Sequence, residues 1–99
     1  MLKNKIALVT GSTSGIGLGI ARALARDGVH LMLHGLGDPA EIERLRSSLA
    51  TETGVTVRVE NADLRRPEEA AQLVAVTERE FGALDILVNN AGEIGRAHV

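Results

Sequence analysis

The stretch Thr10-Gly11-Ser12-Thr13-Ser14-Gly15-Ile16-Gly17 decides the fold. It leaves an apolar strand, Lys5 to Thr10, and runs into a helical pattern in which Ile16, Ile20 and Leu24 recur every four residues. Gly11 permits a sharp turn out of the strand. Gly15, lacking a side chain, lets a pyrophosphate approach the backbone, and Gly17 lets the helix pack close to the sheet. Unpaired amides at the helix N-terminus, with its partial positive charge, then face the anion. A glycine-rich turn without a ligand is the alternative, and the strand–turn–helix setting weighs against it.

Outward from that turn, three more apolar runs read as buried strands: Val29 to His34, Val55 to Val59 and Leu84 to Asn89. Most are continuous rather than alternating, as in a parallel sheet covered on both faces, and the third alternates as an edge strand does. Two more helices lie between them. One opens at Asp38-Pro39-Ala40-Glu41, with Asp38 as a cap, Pro39 in the first turn and Glu41 completing a capping box. Its buried stripe is Ile42, Leu45 and Leu49. The other opens at Pro67-Glu68-Glu69 and turns Leu73, Val74, Thr77 and Phe81 inward. Gly28, Gly54 and Gly82 stand just past the three helices. The order β-α-β-α-β-α-β predicts an α/β fold with right-handed crossovers.

Composition excludes several alternatives. Ninety-nine residues allow one compact domain. A net charge of −2 argues against a nucleic-acid partner, which needs a basic face. No apolar run has the length of a membrane span and no leader pattern precedes the first strand, so a cytoplasmic protein without a membrane partner is expected. Zero cysteines remove disulfides, thiolate metal sites and a cysteine nucleophile. His30 and His34 stand without clustered acids, so packing rather than metal binding is expected of them. Arg65 and Arg66 read as a solvated approach to a helix.

The spacing TGxxxGxG, with Asn89-Asn90-Ala91-Gly92 after the fourth strand, Asp63-Leu64 after the third and Asp85-Ile86-Leu87-Val88 leading into the asparagines, resembles the short-chain dehydrogenase/reductase family. The resemblance covers Met1 to Gly92. It implies a Rossmann-like parallel sheet of strand order 3-2-1-4, one half of a doubly wound fold, and a nicotinamide cofactor. The cofactor residues it implies are Gly11, Thr13, Gly15, Ile16, Gly17, Leu36, Ala62, Asp63, Leu64, Asn90, Ala91 and Gly92. Asp63 would accept from the adenine amino group, with an Asx turn as the alternative. Asn90 would help hold the ribose and shape the carboxyl edge of the sheet, with turn chemistry as the alternative, while Asn89 ties strands together. The run Val9 to Ala21, the segment His34-Gly35-Leu36-Gly37-Asp38 and Asn61-Ala62-Asp63-Leu64 are similar to the branch of the family that acts on 3-hydroxybutyrate. The implied reaction is hydride transfer interconverting 3-hydroxybutyrate and acetoacetate; another small alcohol or ketone, or a non-catalytic nucleotide-binding module, is the alternative. The implied full-length parent is a homo-oligomer that binds a small hydroxy-acid or keto-acid.

Between the two dinucleotides, NAD is favoured. Neither the glycine turn nor His34 to Asp38 contains a lysine or arginine for a 2′-phosphate. Asp38 lies at the distance expected of a ribose-binding acid, but it precedes Pro39 and helix capping explains it fully, so capping is the favoured reading. The resemblance places the family's catalytic serine, tyrosine and lysine beyond the NNAG segment, and this sequence contains no tyrosine. The chain alone is therefore expected to be inactive and, with its fourth strand at an open edge, only marginally stable. Glu93-Ile94-Gly95-Arg96-Ala97-His98-Val99 can be back-translated as GAG ATC GGA AGA GCA CAC GTC, the string of a common sequencing adapter apart from its first base. Residues 93–99 are thus expected to be a non-native tail, and residues 1–92 the N-terminal part of an NAD-binding domain.

Overall fold

The computed structural model describes residues 2–90. Its elements alternate: β1 (Ile6–Val9), α1 (Gly15–Arg26), β2 (His30–His34), α2 (Pro39–Thr53), β3 (Val57–Glu60), α3 (Pro67–Phe81) and β4 (Ile86–Val88). The strands are all parallel and lie in the order β3-β2-β1-β4, as expected. Val9 pairs with Leu33 and with Val88, and Leu33 pairs with Val59, so all four strands finish at one edge of the sheet. The chain moves outward from β1 to β3 and then returns to the other side of β1. That reversal, between β1 and β4, is the place where open α/β sheets bind ligands.

Alternation along the strands feeds two cores. Ala7, Val9, Leu31, Leu33 and Val57 meet Ala21, Ala25 and Leu49 on the face covered by α1 and α2. Leu8 and Met32 meet Leu73 on the opposite face, where Val74, Phe81 and Leu84 complete the packing. The central strand β1 is apolar throughout because both of its faces are covered. Asp85 ties β4 to β1 at its start: its N–H donates to Ile6 O at 2.9 Å, and its Oδ2 accepts the Ile6 N–H at 2.9 Å.

Three local expectations need correction. Ile16 does not belong to the inner stripe of α1; it is 77% exposed, and the buried line is Gly17, Ala21 and Ala25. A helix running antiparallel to the strands begins beyond their ends, so its first turn overhangs the sheet, and the later small residues let it pack closely. Asp38 occupies the N-cap of α2 but its side chain makes no capping bond, so the capping box does not form. Its carboxylate is exposed to solvent, and its carbonyl joins the helix, accepting the Ile42 N–H at 3.0 Å. The third strand is Val57–Glu60 rather than Val55 to Val59, because the ladder with β2 begins at Leu31 and Val57. It is an edge strand, as its alternation implied, and β4 forms the other edge, with Leu87 56% exposed. Among the described residues, no helix is long and apolar enough to cross a membrane.

Candidate functional site

The turn between β1 and α1 is locked at Gly11 and open at Gly15. The Gly11 N–H donates to Nδ1 of His34 at 3.0 Å, and its carbonyl accepts Nδ2–H of Asn90 at 3.2 Å. Gly17 rests on that same carbonyl: a Cβ there would collide with Gly11 O and lie 2.8 Å from Asn90 Nδ2. Gly15 is the opposite case. Its φ of +60° suits glycine, and a Cβ built on it would meet nothing within 4 Å. Ser14 holds the N-cap with an extended backbone, and its hydroxyl makes no capping bond. The first helical bond is from Leu18 N–H to Ser14 O at 3.2 Å, so the amides of Gly15, Ile16 and Gly17 precede the ladder. Space, free donors and the positive end of a helix dipole coincide at one point.

The next loop supplies a wall. Thr13 packs against Gly35, where a Cβ would run into the threonine side chain. Leu36 is 72% exposed and separates two shallow hollows. One, of about 280 Å³, lies toward β3 and is lined by Ile42, Glu43, Val59 and Glu60 among others. The other, of about 360 Å³, lies toward α1 and includes Thr13, Ser14, Asp38 and Glu41. Every charged residue lining either hollow is acidic.

Beyond β3, Ala62 and Leu64 pack with the core under α3. Asp63 forms the Asx turn that its sequence position allowed, with the Arg65 N–H on its Oδ1 at 3.1 Å. The Arg65 side chain grips the same carboxylate at 2.9 and 3.0 Å. These hydrogen bonds, from the guanidinium first and the amide second, lower the Asp63 pKa to about 2. Arg65 is thus solvated, as expected, yet paired. Arg66 reaches Glu68 and Glu69.

The model of the short chain dehydrogenase family matches residues 5–99. This chain belongs to that family. It is 48% identical over 88 residues to a D-beta-hydroxybutyrate dehydrogenase of Rhizobium meliloti, covering 89% of this chain and 34% of the relative. It is 46% identical over 92 residues to the protein of the same name from Cupriavidus necator, covering 93% and 35%. Among solved structures, the NADPH-dependent 3-quinuclidinone reductase of Rhodotorula rubra superposes with a TM-score of 0.81 at 30% identity, over 87% of this chain and 32% of that one. The chain spans about a third of the length of these relatives.

For this short-chain dehydrogenase sequence, the structure gathers Gly11, Thr13, Gly15, Ile16, Gly17 and Asn90 around the start of α1. Leu36 follows β2, and the Ala62–Leu64 segment lies at the end of β3. Ala91 and Gly92 fall outside the described residues, as do residues 93–99. The two asparagines reach different partners at the carboxyl edge. Asn90 ties the end of β4 to the glycine turn through Gly11 O, and Asn89 accepts a long contact, 3.5 Å, from the Thr10 hydroxyl at the end of β1. Two residues outside the expected set hold the site together. Ser12 is fully buried; its N–H donates to His34 O at 2.7 Å and its hydroxyl accepts the His34 N–H at 3.0 Å. The His34 ring spans from Gly11 to Ala62 O, 2.9 Å from Nε2. A histidine closing an apolar strand carries no local signal of such a bridge, because both of its partners are distant in sequence.

Proposed function

We propose that this chain provides the cofactor-binding part of an NAD-dependent oxidoreductase that interconverts 3-hydroxybutyrate and acetoacetate. One observation carries the binding part: the amides of Gly15, Ile16 and Gly17 precede the α1 ladder beside a backbone with no side chain at Gly15. The residues present fit a dinucleotide. The paired phosphates would rest on those amides, with Gly17 holding the helix against Gly11 O so that the amides keep their direction. Leu36 would border the adenosine, and the acids beside it suit ribose hydroxyls. Asn90 holds the turn from the β4 side, and Asp63 offers its carboxylate to the adenine amino group. When bound, the nicotinamide supplies the hydride acceptor; this chain's own work is to position it. The sequence holds no tyrosine for proton transfer, so the 99-residue chain binds without turning over substrate. The two D-beta-hydroxybutyrate dehydrogenases support the substrate class.

NAD is preferred over NADP although the Rhodotorula rubra reductase is NADPH-dependent. A 2′-phosphate beside Leu36 would meet Glu43, Glu60, Asp38 and Glu41 with no lysine or arginine among the residues lining the hollows. Calorimetric titration of the 99-residue chain is expected to show NAD binding at least about tenfold tighter than NADP, a difference of about 1.4 kcal/mol. Equal affinities, or a preference for NADP, overturn the cofactor assignment. A family-length protein carrying this chain is expected to reduce NAD when given D-3-hydroxybutyrate, followed as NADH absorbance. Reduction with other small alcohols but not with this one moves the substrate assignment elsewhere.

A further inference from the structure

The glycine turn and the end of β3 belong to different connections, yet one buried side chain bridges them. His34 closes β2, Nδ1 lies 3.0 Å from the Gly11 amide nitrogen, and Nε2 lies 2.9 Å from the Ala62 carbonyl oxygen. An amide N–H only donates and a carbonyl oxygen only accepts. The two contacts together therefore require a neutral imidazole with its proton on Nε2. Ser12 fixes the backbone of the same residue from both sides, through its N–H and its C=O. We propose that His34 is the positioning residue of the dinucleotide site, a neutral Nε2–H imidazole that sets the phosphate turn and the adenine-side segment relative to each other. This rests on the dinucleotide reading given above.

The physical reason is a clash of donors. An imidazolium carries N–H on both nitrogens, so Nδ1–H would face Gly11 N–H and the turn would lose its anchor on the β2 side. Among the described residues, the elements around the ring carry acids together with arginines, Arg58 on β3 and Arg79 on α3. Glu60 sits at the register position beside His34 on β3, Glu69 of α3 accepts the Asp63 N–H at 2.7 Å, and Asp63 is held by Arg65. The strand residues of β1 bring no charge. Gly11 and Ala62 meet through this ring alone in the hydrogen-bond pattern of the described residues, so nothing else in that pattern relays the turn to the end of β3.

Two substitutions separate the two bonds. Asn at position 34 retains an acceptor where Nδ1 stood, and Gln retains a donor where Nε2 stood. The test measures NAD affinity of the 99-residue chain and its His34→Asn and His34→Gln variants, with long-range proton–nitrogen NMR of the His34 ring. The wild-type ring is expected to show a protonated Nε2 and a bare Nδ1. His34→Asn and His34→Gln, each lacking one of the two bonds, are expected to bind NAD about tenfold more weakly. A ring protonated on Nδ1, or wild-type affinity in either variant, overturns the proposal. The NMR reading needs no ligand, so it stands apart from the binding result: a correct tautomer in a chain that binds no NAD refutes the dinucleotide reading, and with it the positioning role.

Discussion

The three helices begin in two different ways. Helices α2 and α3 each start with proline and carry acids in the first turn, Glu41 in one and Glu68 with Glu69 in the other. Helix α1 starts with glycine and has no acid in its first turn. Acids near an N-terminus answer the dipole from within the chain, and proline removes a donor that would otherwise be orphaned. The first two starts are therefore closed by their own residues. The start of α1 keeps its donors and its positive potential for something outside the chain. All three helices pack their inner faces on the same sheet, so the difference lies in the purpose of the termini rather than in burial.

The largest expected effect comes from filling the close approach that makes the open start possible. Gly17→Ala puts a methyl group into Gly11 O, a backbone atom that cannot swing aside. It is expected to destabilise the chain by about 2–3 kcal/mol, seen in chemical denaturation, and to weaken NAD binding about a hundredfold. Near-normal stability and affinity would show that α1 can slide and that the contact is not limiting.

A smaller effect distinguishes charge from shape. Ile16 is exposed, so Ile16→Glu gives α1 the acid that the other helices have at little packing cost. It is expected to leave stability unchanged or raise it by up to about 1 kcal/mol, while weakening NAD binding about tenfold through repulsion of the phosphates. Glu68→Gln at the start of α3 is the counterpart, with a loss of up to about 1 kcal/mol and no change in NAD affinity. Thermal melts and calorimetry on both variants read the two quantities. Equal effects of the two substitutions on binding would erase the distinction between the termini.

The smallest expected effect concerns the approach to α3, which is closed by ions of its own. Asp63 has a folded pKa of about 2 against an ordinary 3.8, chiefly through the hydrogen bonds of the Arg65 side chain. A depressed carboxylate pKa contributes stability that is present above the ordinary value and is lost as pH falls through the folded one. The window is therefore between about pH 4 and about pH 2. NMR titration of the Asp63 carboxyl is expected to give a midpoint of about 2, rising toward 3.8 in Arg65→Ala. An unchanged midpoint in that variant would assign the shift to the Asx turn alone.

Much of the fold was legible because it is written in local chemistry. The apolar runs, the glycines at 28, 54 and 82, and the prolines at 39 and 67 mark strands, stops and starts through backbone geometry within a few residues. The same holds for the glycine turn, where each glycine answers a steric demand of its immediate neighbours. Periodicity misassigned Ile16 because spacing defines a helix face but not where the helix leaves the sheet. Composition likewise could not tell that Asp38 leaves its cap unmade, since an exposed carboxylate finds water as readily as an amide.

The sequence by itself determined the order of the elements, the open start of α1 and the lack of cations after β2, because these depend on side-chain identity and on neighbours along the chain. Only the tertiary structure decided that Asn90 rather than Asn89 holds the turn, that Ser12 joins β1 to β2, and that His34 bridges Gly11 to Ala62. Those bonds join residues from 22 to 79 positions apart. They exist because parallel strands bring distant carboxyl ends to one edge, where directional donors and acceptors settle which neighbour each side chain takes.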